Sequence, residues 1–100
     1  MTKVQTTRLQ FNIRTSGLPN GVPLLLLHGS HATSRWWEPF FAILPDSIRA
    51  IAPDLRGCGH STRTQDGYEI KEQAEDVAEL VRALALSDFD LVGHGSGGAI

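Results

Sequence analysis

Cysteine is almost absent. Cys58 is the only one in 100 residues, which excludes an internal disulfide and any zinc site built on several thiolates; it reads as an unremarkable small loop residue. Long hydrophobic runs are missing too. The longest, Val22 to Leu27, is interrupted by Pro23 and too short to span a bilayer, and Met1 to Gln10 lacks the apolar stretch of a signal peptide. There is no basic excess either: nine Lys and Arg against eleven Asp and Glu give a formal net charge of −2, without the electrostatic footprint of a nucleic-acid binder. No repeat, linker or low-complexity segment is present. What remains, with 41% hydrophobic residues, suits a single soluble globular unit whose default location is cytoplasmic, with neither membrane nor nucleic acid as a partner.

The chain alternates between two periodicities. From Arg8 to Arg14, Leu9, Phe11 and Ile13 fall on one face and Gln10, Asn12 and Arg14 on the other, the pattern of a half-buried and therefore antiparallel strand. The turn signal Leu18-Pro19-Asn20-Gly21 separates it from Val22 to Leu27, whose four consecutive leucines predict a strand buried on both faces. Ser34 is a candidate cap for a helix from Arg35 to about Leu44, with Pro39 tolerated near the first turn and Trp36 or Trp37, Phe40 or Phe41, and Leu44 at three-to-four spacing supplying core. Ser47 to Ala52 reads as a short strand closed by Pro53 and Asp54. A glycine-punctuated loop from Leu55 to Thr62 follows, and Asp54 is expected to brace it by accepting from backbone N–H groups. Ile70, Ala74, Val77, Val81 and Leu84 mark an amphipathic helix from Glu69 to Leu84, whose charges (Lys71, Glu72, Glu75, Asp76, Glu79, Arg82) read as a solvated face. A last strand spans Phe89 to Val92. Strands alternating with helices predict an α/β fold with a mostly parallel sheet wound by right-handed crossovers.

The last strand runs into Gly93-His94-Gly95-Ser96-Gly97-Gly98, four glycines in six residues. Such density next to a buried strand means positive φ or a very close approach. Two readings fit. One is a nucleophile elbow, in which a strained turn lifts a nucleophile above the sheet. The other takes Gly93, Gly95 and Gly98 as the G-x-G-x-x-G of a dinucleotide-binding turn.

Three stretches taken together, Leu24 to Ser30 (LLLLHGS), Ile51 to Ser61 (IAPDLRGCGHS) and Leu91 to Gly98 (LVGHGSGG), resemble the N-terminal half of an α/β-hydrolase fold enzyme, in that family's order and spacing. The resemblance implies a mostly parallel sheet with helices on both faces, no cofactor and no metal, and hydrolysis of a carboxylic ester, lactone or related acyl bond of a small molecule. It implies that residues 1–100 are an incomplete N-terminal part of one domain, with the acid and the histidine of a triad following the nucleophile in chain order. Expressed alone, this part is expected to be insoluble or molten. Two backbone N–H groups, of Ser30 and Ser96, would hold the oxyanion. A dinucleotide fold would carry its fingerprint on the first strand–helix unit, which lacks one here, so that reading is the minority alternative.

Aligned on Leu91-Val92-Gly93-His94, the family pattern L-V-G-H-S-x-G-G puts Gly95 at the nucleophile position, with Gly93 and Gly97 as its small flanking residues. A shifted register would make Ser96 the nucleophile, but would put His94 where a glycine is wanted. Glycine cannot attack a carbonyl. Either the serine of a hydrolase has been replaced, or the chain is a catalytically inactive, small-molecule-binding member of the fold; an aspartate nucleophile, as in the dehalogenase and epoxide-hydrolase branches, fits less well because Ser96 stands where those branches commonly have an aromatic residue. His28 and Gly29, with Gly93, Gly97 and Gly98, read as structural. His94 reads mainly as a hydrogen-bonding turn residue; with His31, it is also a candidate for contact with substrate. His31 and His60 lie on loops that either line the pocket or face water.

Overall fold

The computed structural model describes residues 1–100. Five strands form one mixed sheet: β1 (Thr2–Gln5), β2 (Gln10–Ser16), β3 (Val22–Leu27), β4 (Ile48–Pro53) and β5 (Asp90–Gly93), in the spatial order β1-β2-β4-β3-β5. β1 pairs antiparallel with β2, and β2 antiparallel with β4. β3 runs parallel to both β4 and β5. An antiparallel margin thus leads into parallel strands.

β3 owes its interior place, between β4 and β5, to its leucines. Alternation along a strand sends Leu25 and Leu27 to one face and Leu26 to the other, and all three are buried. Leu25 and Leu27 join Phe11, Ile13, Ile51, Leu55, Val77 and Leu80 in the larger core, against helix α2 (Ile70–Ala83). Leu26 joins Ala50, Ala52 and Trp37 in a smaller core under α1 (Glu38–Phe41). Each buried leucine contributes about 1.5–3 kcal/mol relative to an exposed one, and helices cover both faces of the sheet. No helix is long and apolar enough to cross a membrane.

Several details differ from the sequence-based expectation. β1 is an additional strand, and it, not β2, is the antiparallel edge. Asn12, expected on the solvent face, is 1% exposed, because its side-chain amide donates to Asp54 Oδ2 at 2.8 Å. The helix from Arg35 to Leu44 is broken into a 3₁₀ turn (Ser34–Trp37) and the short α1. Pro39 explains the break: it has no N–H to donate and its ring crowds the turn before it, so the chain tightens there instead of continuing as one α-helix. Thr33, not Ser34, is the cap; its hydroxyl accepts from Arg35 N–H. The ambiguous tryptophan pair divides, Trp37 into the core and Trp36, 54% exposed, out of it.

The charged face of α2 is not wholly solvated. Asp76 is 1% exposed and accepts from Arg8 Nε (2.7 Å) and from Arg56 Nη2 (2.6 Å) and Nε (2.8 Å). One carboxylate thereby ties α2 to the start of β2 and to the loop after β4. Cys58, in that loop, packs partly buried against the larger core, and burial pushes its thiol up.

Candidate functional site

β3 and β5 are adjacent and in register, with Leu27 opposite Gly93, so the turns leaving their carboxyl ends emerge side by side. Parallel sheets gather ligand-binding loops at that edge. The two turns meet: His94 N–H donates to Leu27 O at 3.0 Å, and Ser30 Oγ donates to Ser96 Oγ at 3.0 Å.

Around this junction lies an open cleft of about 670 Å³, lined by Gly29, Ser30, His31, Ala32, Thr33, Arg35, Trp36, His94, Gly95 and Ser96. Of the residues singled out from the sequence, it therefore brings together Gly29, Ser30, His31, His94, Gly95 and Ser96. Trp36 stacks on His94 with ring centroids 4.9 Å apart and planes at 28°. Trp36 and Arg35 were not candidates in the sequence, where helical spacing leaves open which of the paired tryptophans is buried.

The backbone around position 95 is specialised. Gly95 has φ +60°, while Ser96 is not in the left-handed region. A Cβ built on Gly95 would meet only Gly29 Cα, at an ordinary 3.6 Å. A Cβ on Gly93 would come to 2.5 Å from Gly97 O, and one on Gly97 to 2.5 Å from Leu27 O; those two positions admit no side chain. Gly98 has ordinary clearance, at 3.6 Å from Gly93 O. His31 also takes a left-handed φ, +62°, at the third position of a turn closed by Ala32 N–H to Gly29 O. A non-glycine residue there stores strain of about 1–3 kcal/mol.

Two buried polar groups hold these turns in place. His28, 1% exposed, bonds Gly29 O through Nδ1 and accepts from Leu55 N–H at Nε2. Asp54, 2% exposed, accepts from Ser34 N–H (2.7 Å), Asn12 Nδ2 (2.8 Å) and His60 N–H (3.1 Å). Burial acts to raise the Asp54 carboxyl, but these hydrogen bonds outweigh it and hold the group below its ordinary value. His60 does not line the cleft: its N–H goes to Asp54 and its carbonyl accepts from Lys3 Nζ at 2.6 Å. No group of three or more His, Cys, Asp and Glu side chains is arranged to hold a metal ion.

The model of the alpha/beta hydrolase family matches residues 24–100. The chain belongs to that family. Among α/β-hydrolase relatives, the 2-(acetamidomethylene)succinate hydrolase of Mesorhizobium japonicum is 38% identical over 95 residues, which are 95% of this chain and 34% of the relative. The soluble epoxide hydrolase of a Corynebacterium species is 37% identical over 81 residues, 81% of this chain and 28% of that one. The crystal structure of E-2-(acetamidomethylene)succinate hydrolase superposes with a TM-score of 0.90 at 37% identity, covering 98% of this chain and 36% of the other. The chain thus spans about a third of the length of these α/β-hydrolases.

Proposed function

We propose that the whole protein is built to hydrolyse a carboxylic ester, lactone or related acyl bond of a small molecule, with Gly95 at the nucleophile position. The chain as it stands would then bind such a compound without turning it over. The observation that carries this reading is the geometry of Gly95: a left-handed backbone with free space where a side chain would stand, in the lining of the cleft together with Ser30 and Ser96. That is the backbone a nucleophile elbow requires, with its two flanking positions too crowded for anything but glycine.

The chemistry follows from position. A serine hydroxyl at 95 would attack the carbonyl carbon, giving up its proton to a histidine which, as the resemblance implies, comes later in the chain. Charge then develops on the carbonyl oxygen, and the N–H groups of Ser30 and Ser96, on the two touching turns, are the donors for it. Each such donor contributes about 2.7–4 kcal/mol to a comparable reaction. His94, under the Trp36 ring, and His31 border the same space and are read as substrate contacts.

Assaying model-ester hydrolysis by the full-length protein, unmodified and as Gly95→Ser, tests the reading. Restoration by orders of magnitude is expected, because loss of a nucleophile costs on the order of 10⁶ in kcat in a serine protease. Ser96→Ala in the Gly95→Ser background keeps its backbone N–H and should remain active. An unmodified protein that is already active and is killed by Ser96→Ala would move the nucleophile to Ser96. A Gly95→Ser protein without activity would instead favour a non-catalytic binder. The similarity to a soluble epoxide hydrolase motivates one further arm, Gly95→Asp with an epoxide; turnover there and none of esters would favour the carboxylate-nucleophile branch.

A further inference from the structure

Most arginines of this chain are committed. Of the seven, Arg8 and Arg56 bind Asp76, Arg14 binds Glu38, and Arg82 binds Glu79, while Arg63 donates to the carbonyls of Gly57 and Gly59. Arg49 and Arg35 make no side-chain bond to the protein, and of these only Arg35 lines the cleft. Its natural neutralising neighbour would be Glu38, three residues on along the same helical stretch. That carboxylate is taken by Arg14 at 2.8 Å. No carboxylate lines the cleft, so the Arg35 guanidinium is its one permanent, unneutralised charge.

A guanidinium left free in a ligand cleft is suited to a planar anion, which it can engage through two parallel N–H donors. We propose that Arg35 recognises a free carboxylate on the substrate, so that the compound is an acyl derivative carrying a second, anionic carboxyl group. This rests on the acyl-hydrolase reading of the site and narrows it. The half-exposed ring of Trp36, adjacent in sequence and stacked on His94, offers an apolar wall for the carbon chain between the two carboxyl groups. Arg35 is a specificity residue and takes no part in the bond that breaks.

The test is an equilibrium titration of the full-length protein, Gly95 retained, with glutarate and with butyrate. Both can place one carboxylate at the Ser30 and Ser96 N–H groups; only glutarate has a second. Glutarate is expected to bind about 10–100-fold more tightly, with a preference that shrinks as salt is raised. Arg35→Gln should abolish the preference by weakening glutarate more than butyrate, and Arg35→Lys should keep part of it. Equal binding of the two acids, a preference that survives Arg35→Gln, or no binding of either at millimolar concentration overturns the proposal. The parent reading fails separately: if Gly95→Ser restores no ester hydrolysis while the Arg35-dependent preference stands, the anion site remains and the acyl chemistry does not. If hydrolysis returns with equal kcat/KM for phenyl acetate and for monophenyl glutarate, the anion site falls and the chemistry stands.

Discussion

The backbone N–H of Leu55 donates to Nε2 of His28 at 3.0 Å, joining the carboxyl ends of β3 and β4 through one buried imidazole. That contact fixes the tautomer: Nε2 must be the bare nitrogen, and Nδ1 then carries the proton that reaches Gly29 O at 2.8 Å. A second proton on the ring would have to face the Leu55 N–H. Burial accordingly pushes His28 below its ordinary value of 6.5, and the Gly29 carbonyl and the charge of Asp54 only partly offset it.

A depressed histidine pKa has a definite sign in the stability. The unfolded chain takes up the proton first, so the contribution of neutral His28 is complete above about pH 6.5 and is lost as pH falls from there through the folded value. Urea unfolding of the full-length protein at pH 7.5 and 5.0 should show a loss at the lower pH that is smaller in His28→Ala. That variant should itself be weaker at pH 7.5 by about 1–3 kcal/mol, the cost of a buried N–H left without an acceptor. An equal pH response in the two proteins would refute the assignment.

Asp54 holds three donors on two oxygens, Ser34 N–H on Oδ1 and Asn12 Nδ2 and His60 N–H on Oδ2. Asp54→Asn must turn an NH₂ toward at least one of them, so a loss of about 1–3 kcal/mol is expected. In a Gly95→Ser background, turnover should fall less than stability does, because the carboxylate braces the turns and is not aimed into the cleft. A collapse of kcat with unchanged melting would make it a catalytic acid. The carboxyl lies below its ordinary 3.8, so its contribution is present above that pH and is lost as pH falls through the folded value.

Asp76 should be the most sensitive charged residue of α2. Removing it as Asp76→Ala leaves Arg56, 10% exposed, and Arg8 without their shared partner, at a cost of about 3–5 kcal/mol. Glu75, half-exposed in its pair with Arg8, should cost under about 1 kcal/mol as Glu75→Ala. Chemical denaturation of both variants checks the contrast, and equal losses would mean that the burial of Asp76 is irrelevant.

Periodicity in the sequence recovers what depends on neighbours along the chain. Four leucines in a row place β3 inside the sheet, and apolar spacing locates α2 to within a residue at each end. Partners distant in sequence leave no such mark. Asn12 looks solvent-facing because Asp54, 42 residues away, is what buries it; Asp76 looks like surface because Arg8 is 68 residues away. β1, reading Thr-Lys-Val-Gln, offers a single apolar residue, Val4, to any pattern. At the site, the glycine-dense turn and the turn after His28 could be read because their backbone chemistry is local. Arg35 and Trp36 line the cleft from a 3₁₀ turn, which helical spacing in the sequence does not distinguish from an α-helix.

Gly93, Gly95 and Gly97 of the glycine-dense turn differ in what surrounds them. At Gly95 the cost of a side chain is conformational: φ of +60° strains an L-residue by about 1–3 kcal/mol, while the nearest atom, Gly29 Cα at 3.6 Å, leaves room. At Gly97 the cost is steric, since a Cβ would lie 2.5 Å from Leu27 O and 2.6 Å from His28 O. Those are backbone atoms of the strand that carries the other half of the cleft, so the turn cannot yield without pulling away from β3. Gly93 faces the same conflict with Gly97 O at 2.5 Å. Thermal melting of the full-length protein should therefore rank Gly95→Ser as a small loss and Gly93→Ala and Gly97→Ala as larger ones, although alanine is the smaller residue. In a Gly95→Ser background, Gly97→Ala should also abolish ester hydrolysis by displacing the Ser96 N–H. A Gly97→Ala protein that melts with the parent would show that the turn can relax, and would remove the steric argument for placing the nucleophile at position 95.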